Sequence, residues 1–142
     1  MSLFKSNNII KIIVFFITCI GFTLLLPYLF VNASYSYTKS DYIKYHLLTF
    51  KEVKEMPFIS KNYSIEYDSP DGTSGLTNSV FFSNVNLEKK SELIDYLNKL
   101  GFKKHEDMFW IKGGEIWKKG DEIVNLIQDN ERKIIIISFE KK

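Results

Sequence analysis

From Ile12 to Val31 the chain runs through twenty consecutive positions, IIVFFITCIGFTLLLPYLFV, without one charged side chain, and Lys5 and Lys11 precede the run. This stretch decides where everything after it must live. At about 1.5 Å of helical rise per residue, twenty residues match the roughly 30 Å of a bilayer's hydrocarbon core. The two lysines before it hold the N-terminus in the cytoplasm, which delivers the residues after Val31 to the far side.

The segment supports two readings, and both export the rest of the chain. As a single-pass anchor it spans residues 12–31, tolerates Pro27 near its outer end and places Tyr28 and Tyr35 at interfacial depth. As a cleaved signal, Met1 to Lys11 is the basic n-region and Ile12 to Leu26 the apolar h-region. Pro27 then ends the helix, and Val31-Asn32-Ala33 offers a small-residue cleavage site before Ser34. The first reading predicts a membrane protein with its C-terminal domain outside. The second predicts a secreted or periplasmic one.

Cys19 is the single cysteine and falls inside the apolar run, so residues 34–142 contain no disulfide, thiolate nucleophile or Cys-based metal site. The chain has 19 basic and 17 acidic side chains. Two of the basic ones, Lys5 and Lys11, precede Ala33, which leaves the exported part formally neutral. Proteins that take a polyanion carry a basic excess, so nucleic acid is not an expected partner.

Residues 1–33 form the signal or anchor, 34–40 (SYSYTKS) read as a polar tether, and 41–142 have the size of one domain. A helix is predicted over Asp41–Met56, entered at Ser40 and stopped by Pro57, with Ile43, Leu47 and Phe50 buried and Tyr42, Tyr45 and Val53 beside them. Asn62–Asp68 alternates like a half-buried strand, Ser69–Gly72 turns, and Ser79–Val85 is a second strand. Asn86 caps the helix Leu87–Leu100, whose Leu93, Tyr96, Leu97 and Leu100 share a face and whose end is marked by Gly101.

The remainder reads as a meander of strands at Asp107–Lys112, Glu115–Lys119, Glu122–Gln128 and Arg132–Phe139. Ile134 to Ile137 are apolar at every position, as in a central strand covered on both faces. The expected fold is α+β: the N-terminal transmembrane or signal helix, then a small antiparallel sheet of five to six strands with one or two helices packed on it.

Chemistry is sparse. If Gly113-Gly114 is a two-residue turn, Trp110 faces Trp117 and Lys112 faces Glu115, so these four residues share one face of a hairpin. Such a pair of indoles is either core packing or a recognition platform, which makes Trp110, Lys112, Glu115 and Trp117 the candidate partner-binding residues. Glu66, Asp68 and Asp71 flank a turn, yet Pro70 and the missing downstream Glu break the EF-hand pattern. His46 and His105 have no ligand-spaced companions. No pattern calls for a metal or a cofactor, and none marks a catalytic centre.

The function that fits is a membrane-anchored, extracytoplasmic, non-catalytic protein-binding module of the immunity, inhibitor or adaptor type. Two alternatives stay open. One is a minor subunit of a membrane complex recruited through the apolar segment. The other is a small envelope hydrolase using Glu66, Asp68 or Asp71.

Overall fold

The computed structural model describes residues 3–25, 33–70 and 75–141, with side chains described from Ile10 onward. Two compact units divide at Ala33 and Ser34. The first contains helix α1, Leu3–Leu25, on which Ile10, Ile12–Ile17, Ile20, Phe22, Leu24 and Leu25 are all exposed. The Thr18 hydroxyl donates to the Val14 carbonyl (2.8 Å), and the Thr23 hydroxyl donates to those of Ile20 (2.9 Å) and Cys19 (3.1 Å). Among the described residues no helix is long and apolar enough to cross a membrane. The outer part of the expected span, with Pro27, Tyr28, Val31 and Asn32, lies outside the described residues, as do residues 71–74, which include Asp71 and Gly72 of the expected Ser69–Gly72 turn.

The second unit is α+β. Its strands are β1 Ser34–Tyr37, β2 Tyr63–Asp68, β3 Leu76–Phe82, β4 Lys103–Asp107, β5 Gly114–Lys119, β6 Glu122–Asp129 and β7 Ile134–Lys141. Its helices are α2 Tyr42–Leu48, α3 Lys51–Glu55 and α4 Lys90–Leu100. All seven strands join one antiparallel sheet in the order β1-β2-β3-β7-β6-β5-β4. Two meanders, β1–β3 and β4–β7, therefore meet where β3 pairs with β7. Helix α4 connects them by crossing the sheet from its third strand to its far edge.

Strand count exceeds the expected five to six because residues 34–37 are not a tether. They pair with β2 in the register Ser34↔Asp68 to Tyr37↔Ile65 and form one edge of the sheet.

Period-two alternation separates the two faces. Tyr37, Ile65, Val80, Phe82, Ile135, Ile137, Phe139, Val124, Leu126 and Trp117 point inward and pack with Val53, Met56, Leu93, Leu97 and Phe102 in one core. Among the described residues of this unit, no helix packs on the opposite face. Phe81, Ile136, Ile127 and Ile116 lie there half-exposed around a Ser79–Ser138 hydroxyl pair 2.7 Å apart. Strand β7 is central, as the isoleucine run requires. Of the four, only Ile135 and Ile137 are fully buried, however, and Ile134 and Ile136 are half-exposed, because among the described residues of this unit the helices cover the other face.

Helix α4 matches the sequence closely. Asn86 Oδ1 accepts the Glu88 amide (3.2 Å), a 3-10 turn at Leu87–Lys89 leads in, and Gly101 ends the helix at φ 90°. Burial, with Glu55 and Glu52 nearby, pushes the Tyr96 hydroxyl up to about 12, and it donates to the Glu52 carbonyl at 2.7 Å. That bond ties α4 to α3.

The helix expected over Asp41–Met56 is two helices, because Thr49 and Phe50 adopt extended backbone. Asn78, fully buried on β3, makes the break. Its Oδ1 accepts the Phe50 amide (3.0 Å), and its Nδ2 donates to the Glu66 carbonyl (2.9 Å) and to the Tyr37 hydroxyl (3.3 Å). Tyr37 in turn meets the Thr49 hydroxyl at 3.1 Å. The amide of Phe50 is thus taken away from an unbroken helical ladder. As a consequence α2 buries no residue, and Tyr42, Ile43 and Leu47, expected in the core, are exposed. Asp41, not Ser40, precedes its first turn.

Replacing Asn78 with Ala leaves the Phe50 amide and the Glu66 carbonyl without their buried partner. The unfolding free energy in urea should drop by about 2–4 kcal/mol, at the cost expected for orphaned buried groups. A loss below about 0.5 kcal/mol would show that this side chain does not hold the break.

Candidate functional site

The four residues singled out by the sequence do not share a face. Strand β4 stops at Asp107, and its register with β5 is Lys104↔Trp117, Glu106↔Ile116 and Asp107↔Glu115, with a bulge around His105. Trp117 therefore faces Lys104 and not Trp110. The glycine pair does not close a two-residue turn. Gly113 sits at φ 81° and accepts the Gln128 amide through its carbonyl (3.0 Å), while Gly114 already pairs with Ile127 as the first residue of β5. Residues 108–113 are left as a loop.

Glu115 and Trp117 go inward. The Trp117 indole is 5% exposed, and its Nε1 donates to Glu115 Oε2 at 3.0 Å. Glu115 Oε1 receives Lys90 Nζ from α4 at 2.9 Å and lies 3.4 Å from Lys104 Nζ. Burial pushes the Glu115 carboxyl up, but the bonds from Lys90 and Trp117 and the two ammonium charges outweigh it and hold the group below the ordinary carboxylate range. This cluster pins the start of α4 to β5. Both Glu115 oxygens are engaged within it.

Trp110 and Lys112 go outward with the loop. Phe109 is 93% and Trp110 59% exposed, and their rings meet edge to face, 4.5 Å between centroids at 87°. The loop is held at its base. The Met108 amide donates to the Gly114 carbonyl (2.9 Å), the Gly114 amide donates to the Ile111 carbonyl (3.1 Å), and the Met108 side chain is buried against Gly114. A Cβ on Gly113 would collide with the Gln128 carbonyl, so glycine is required there for space as well as for its positive φ. Beside the loop, Ile111 and Lys112 join Ile127, Arg132, Ile134 and Ile136 around an open cavity of ≈ 650 Å³ on the uncovered face of the sheet.

Phe109 is the residue that sequence reasoning missed. Its signal was the apolar run Met108–Ile111, separated only by Lys112 from two glycines, four apolar residues where the chain has to reverse.

The carboxylates have less to offer. Glu66 and Asp68 lie on the uncovered face of β2, Asp71 is outside the described residues, and neither the cavity beside Lys112 nor the one lined by Asn84–Leu87 and Lys133 includes them. Burial, with Asp68 nearby, raises the Glu66 carboxyl. His46 is exposed against the Tyr42 ring (4.2 Å), and His105 is exposed in the bulge. No group of three or more His, Cys, Asp or Glu that could hold a metal ion occurs among the described residues.

The two indoles should separate cleanly in a stability measurement. Trp117→Ala should lose about 3–5 kcal/mol, as for a buried aromatic, whereas Trp110→Ala should stay within about 0.5 kcal/mol of wild type. Equal losses would contradict the Lys104↔Trp117 register. Compared with known proteins, the chain matches no family model, no curated protein and no solved structure.

Proposed function

We propose that this chain is a membrane-anchored, extracytoplasmic protein-binding module that engages its partner through the Phe109–Trp110 tip and the adjoining Lys112. The observation that carries the reading is an edge-to-face aromatic pair standing in solvent on a loop pinned at both ends. Rigid, exposed aromatics lose little conformational freedom on binding and supply large contact area, which is why they recur as anchors of protein interfaces. A cavity lined by Lys112 and four isoleucines, with Asp129, Glu131 and Arg132 at it, extends the patch onto the sheet.

The position of the tip favours display. Ser34 and Lys103 lie in the first registered row of the sheet, at opposite edges, and Asp107, just before the loop, lies in the row of Tyr37 at the other end of the strands. The tip is therefore diagonal to the point where the chain enters the domain. Six strand spacings of ~4.8 Å put about 29 Å between those edges. A module tethered at Ser34 carries its aromatic pair at its remotest corner.

Support for the anchor comes from α1. From Ile12 to Leu25 it carries no charged side chain and its large apolar side chains are exposed, and a helix segment of that kind needs an apolar surround. The Thr18 and Thr23 hydroxyls bond back to carbonyls of their own helix, which spares lipid any polar group in need of water. The same bonds leave those hydroxyls less available as glue for another helix, so recognition falls to the domain more than to the segment. Formal neutrality of the exported part agrees with a protein partner and not with nucleic acid.

A Phe109→Ser, Trp110→Ser double variant should keep the wild-type melting temperature within a few degrees and lose at least about tenfold in recovery of the cross-linked partner from membranes, as when a hot spot worth about 1.4 kcal/mol or more is removed. Undiminished recovery with this variant would refute the tip as the binding site.

A further inference from the structure

The two edges of the sheet are not alike. Strand β4 closes one edge with Lys103–Asp107, ionisable and exposed at every position and bulged around His105. Strand β1 closes the other with Ser-Tyr-Ser-Tyr, which has no charge, no proline and an unbroken register. Charge, proline and bulges are the devices that keep sheet edges from pairing, and β1 has none of them. We propose that β1 is a pairing edge for a second copy of this chain, joined antiparallel about a two-fold axis at Tyr35.

The alternation of hydrogen bonds across the sheet identifies the open groups of this edge. The Ser83 amide donates to the Asn62 carbonyl (2.9 Å), and the Glu66 carbonyl accepts from Asn78 Nδ2 on β3 (2.9 Å). In an antiparallel ladder, bonded and non-bonded pairs alternate. With Asn62 bonded to Ser83, the bonded pairs that follow are Ser64↔Phe81, Glu66↔Ser79 and Asp68↔Thr77, so Ile65 and Tyr67 turn their backbone groups toward β1. On β1, Tyr37 and Tyr35 therefore bond to β2, whereas Ser34 and Ser36 turn their amides and carbonyls outward. Both serines are exposed, and among the described residues none bonds their backbone from the open side. At Thr38 the edge is already closed. Asp41 Oδ2 accepts the Thr38 amide (3.0 Å), and the Asp41 amide donates to the Thr38 carbonyl (3.1 Å).

An edge this short selects the register of its partner. With Tyr35 opposite Tyr35, Ser34 of each copy meets Ser36 of the other, and every outward group is bonded, two bonds to each pair. A slip that sets Ser34 against Thr38 loses bonds, because the Thr38 groups are engaged. Tyr35↔Tyr35 is then a non-bonded pair, with Cα atoms about 4.5 Å apart and the two rings on one face. Tyr67 already lies 6.4 Å from Tyr35 between ring centres, so a row of tyrosines continues across the junction.

Self-pairing also fits the charges. No residue of 34–37 sets a like charge against its symmetry mate, and the guarded β4 edge rejects the β1 edge of another copy. Head-to-tail growth is thereby blocked, and pairing closes at two copies. Beside this edge lies α2, whose Lys44 Nζ is 5.9 Å from the Tyr35 ring centre and whose Tyr42, Ile43 and Leu47 are each 72% exposed. A two-fold axis normal to the sheet keeps both cores, and both α2 helices, on the same side of the joined sheet. The aromatic tips stay free at its two outer edges.

The test uses the full chain with Cys19→Ser in non-denaturing detergent, with Ser34→Cys in one preparation and Ser36→Cys, on a tagged chain of different mass, in another. Both sites are exposed, so each variant should keep the wild-type melting temperature. In the proposed register the Cα atoms of position 34 and position 36 of the second copy are about 5.5 Å apart, within disulfide range, whereas identical positions are roughly 9 Å apart and beyond it. Under mild oxidation the mixture should form the mixed disulfide at least about fivefold faster than either variant cross-links to itself. Like positions that cross-link as fast as the mixed pair would overturn the antiparallel register. Absence of the mixed disulfide in chains of wild-type melting temperature would overturn the pairing altogether.

Discussion

The buried carboxamide of Asn78 ties together four segments whose relative placement apolar contact alone would leave loose. It sits on β3, donates to β2 through the Glu66 carbonyl and to β1 through Tyr37, and accepts the amide of Phe50 between the two short helices. Apolar packing is indifferent to small slips, whereas a buried amide whose bonds are all made tolerates one arrangement. With Tyr37 and Thr49 completing the network, β1 is held as a strand of the sheet and the helical segment is obliged to break. The exposed stripe on α2 is the direct consequence: once Phe50 is diverted, Val53 and Met56 reach the core and Ile43 and Leu47 cannot.

That division gives the domain two apolar surfaces with different surroundings. One lies beside the entry edge, among lysines. The other is a tip between β4 and β5 at the far corner. Between them the face of the sheet opposite the core presents half-exposed isoleucines and Phe81 interrupted by Ser79, Ser138 and Asn125. The edge at β4 is guarded against strand addition by its run Lys103–Asp107, exposed at every position, and by its bulge. On the proposed reading, the tip therefore engages its partner through side chains and not through backbone pairing.

Much of the fold was legible where local chemistry and packing agree. The end of α4 followed from Gly101 and its 3-10 lead-in from Asn86, the β2 strand from its Tyr-Ile-Tyr alternation, and the central place of β7 from its isoleucines. What was not legible depended on distant partners. Nothing near residues 41–56 announces that Asn78, more than twenty positions downstream, will take the Phe50 amide. A seven-residue helix with Tyr42, Ile43, Tyr45, Leu47 and Leu48 has apolar residues on more than one side, and that surplus was the available clue that one side would stay outside. The tether became a strand because β2 offered an open edge, a fact of register and not of composition. At the candidate site the indole pair failed for a similar reason: the Gln128 amide recruits the Gly113 carbonyl, which moves the reversal upstream and sends Trp110 out while Trp117 stays in.

On the proposed reading the aromatic tip is where this chain meets a protein partner. Photo-cross-linking from a benzophenone side chain placed at Phe109 of the full chain, in its native membrane, tests that claim most directly. A discrete protein adduct is expected from position 109. Lipid adducts alone, or no adduct, from that position would contradict recognition through the tip.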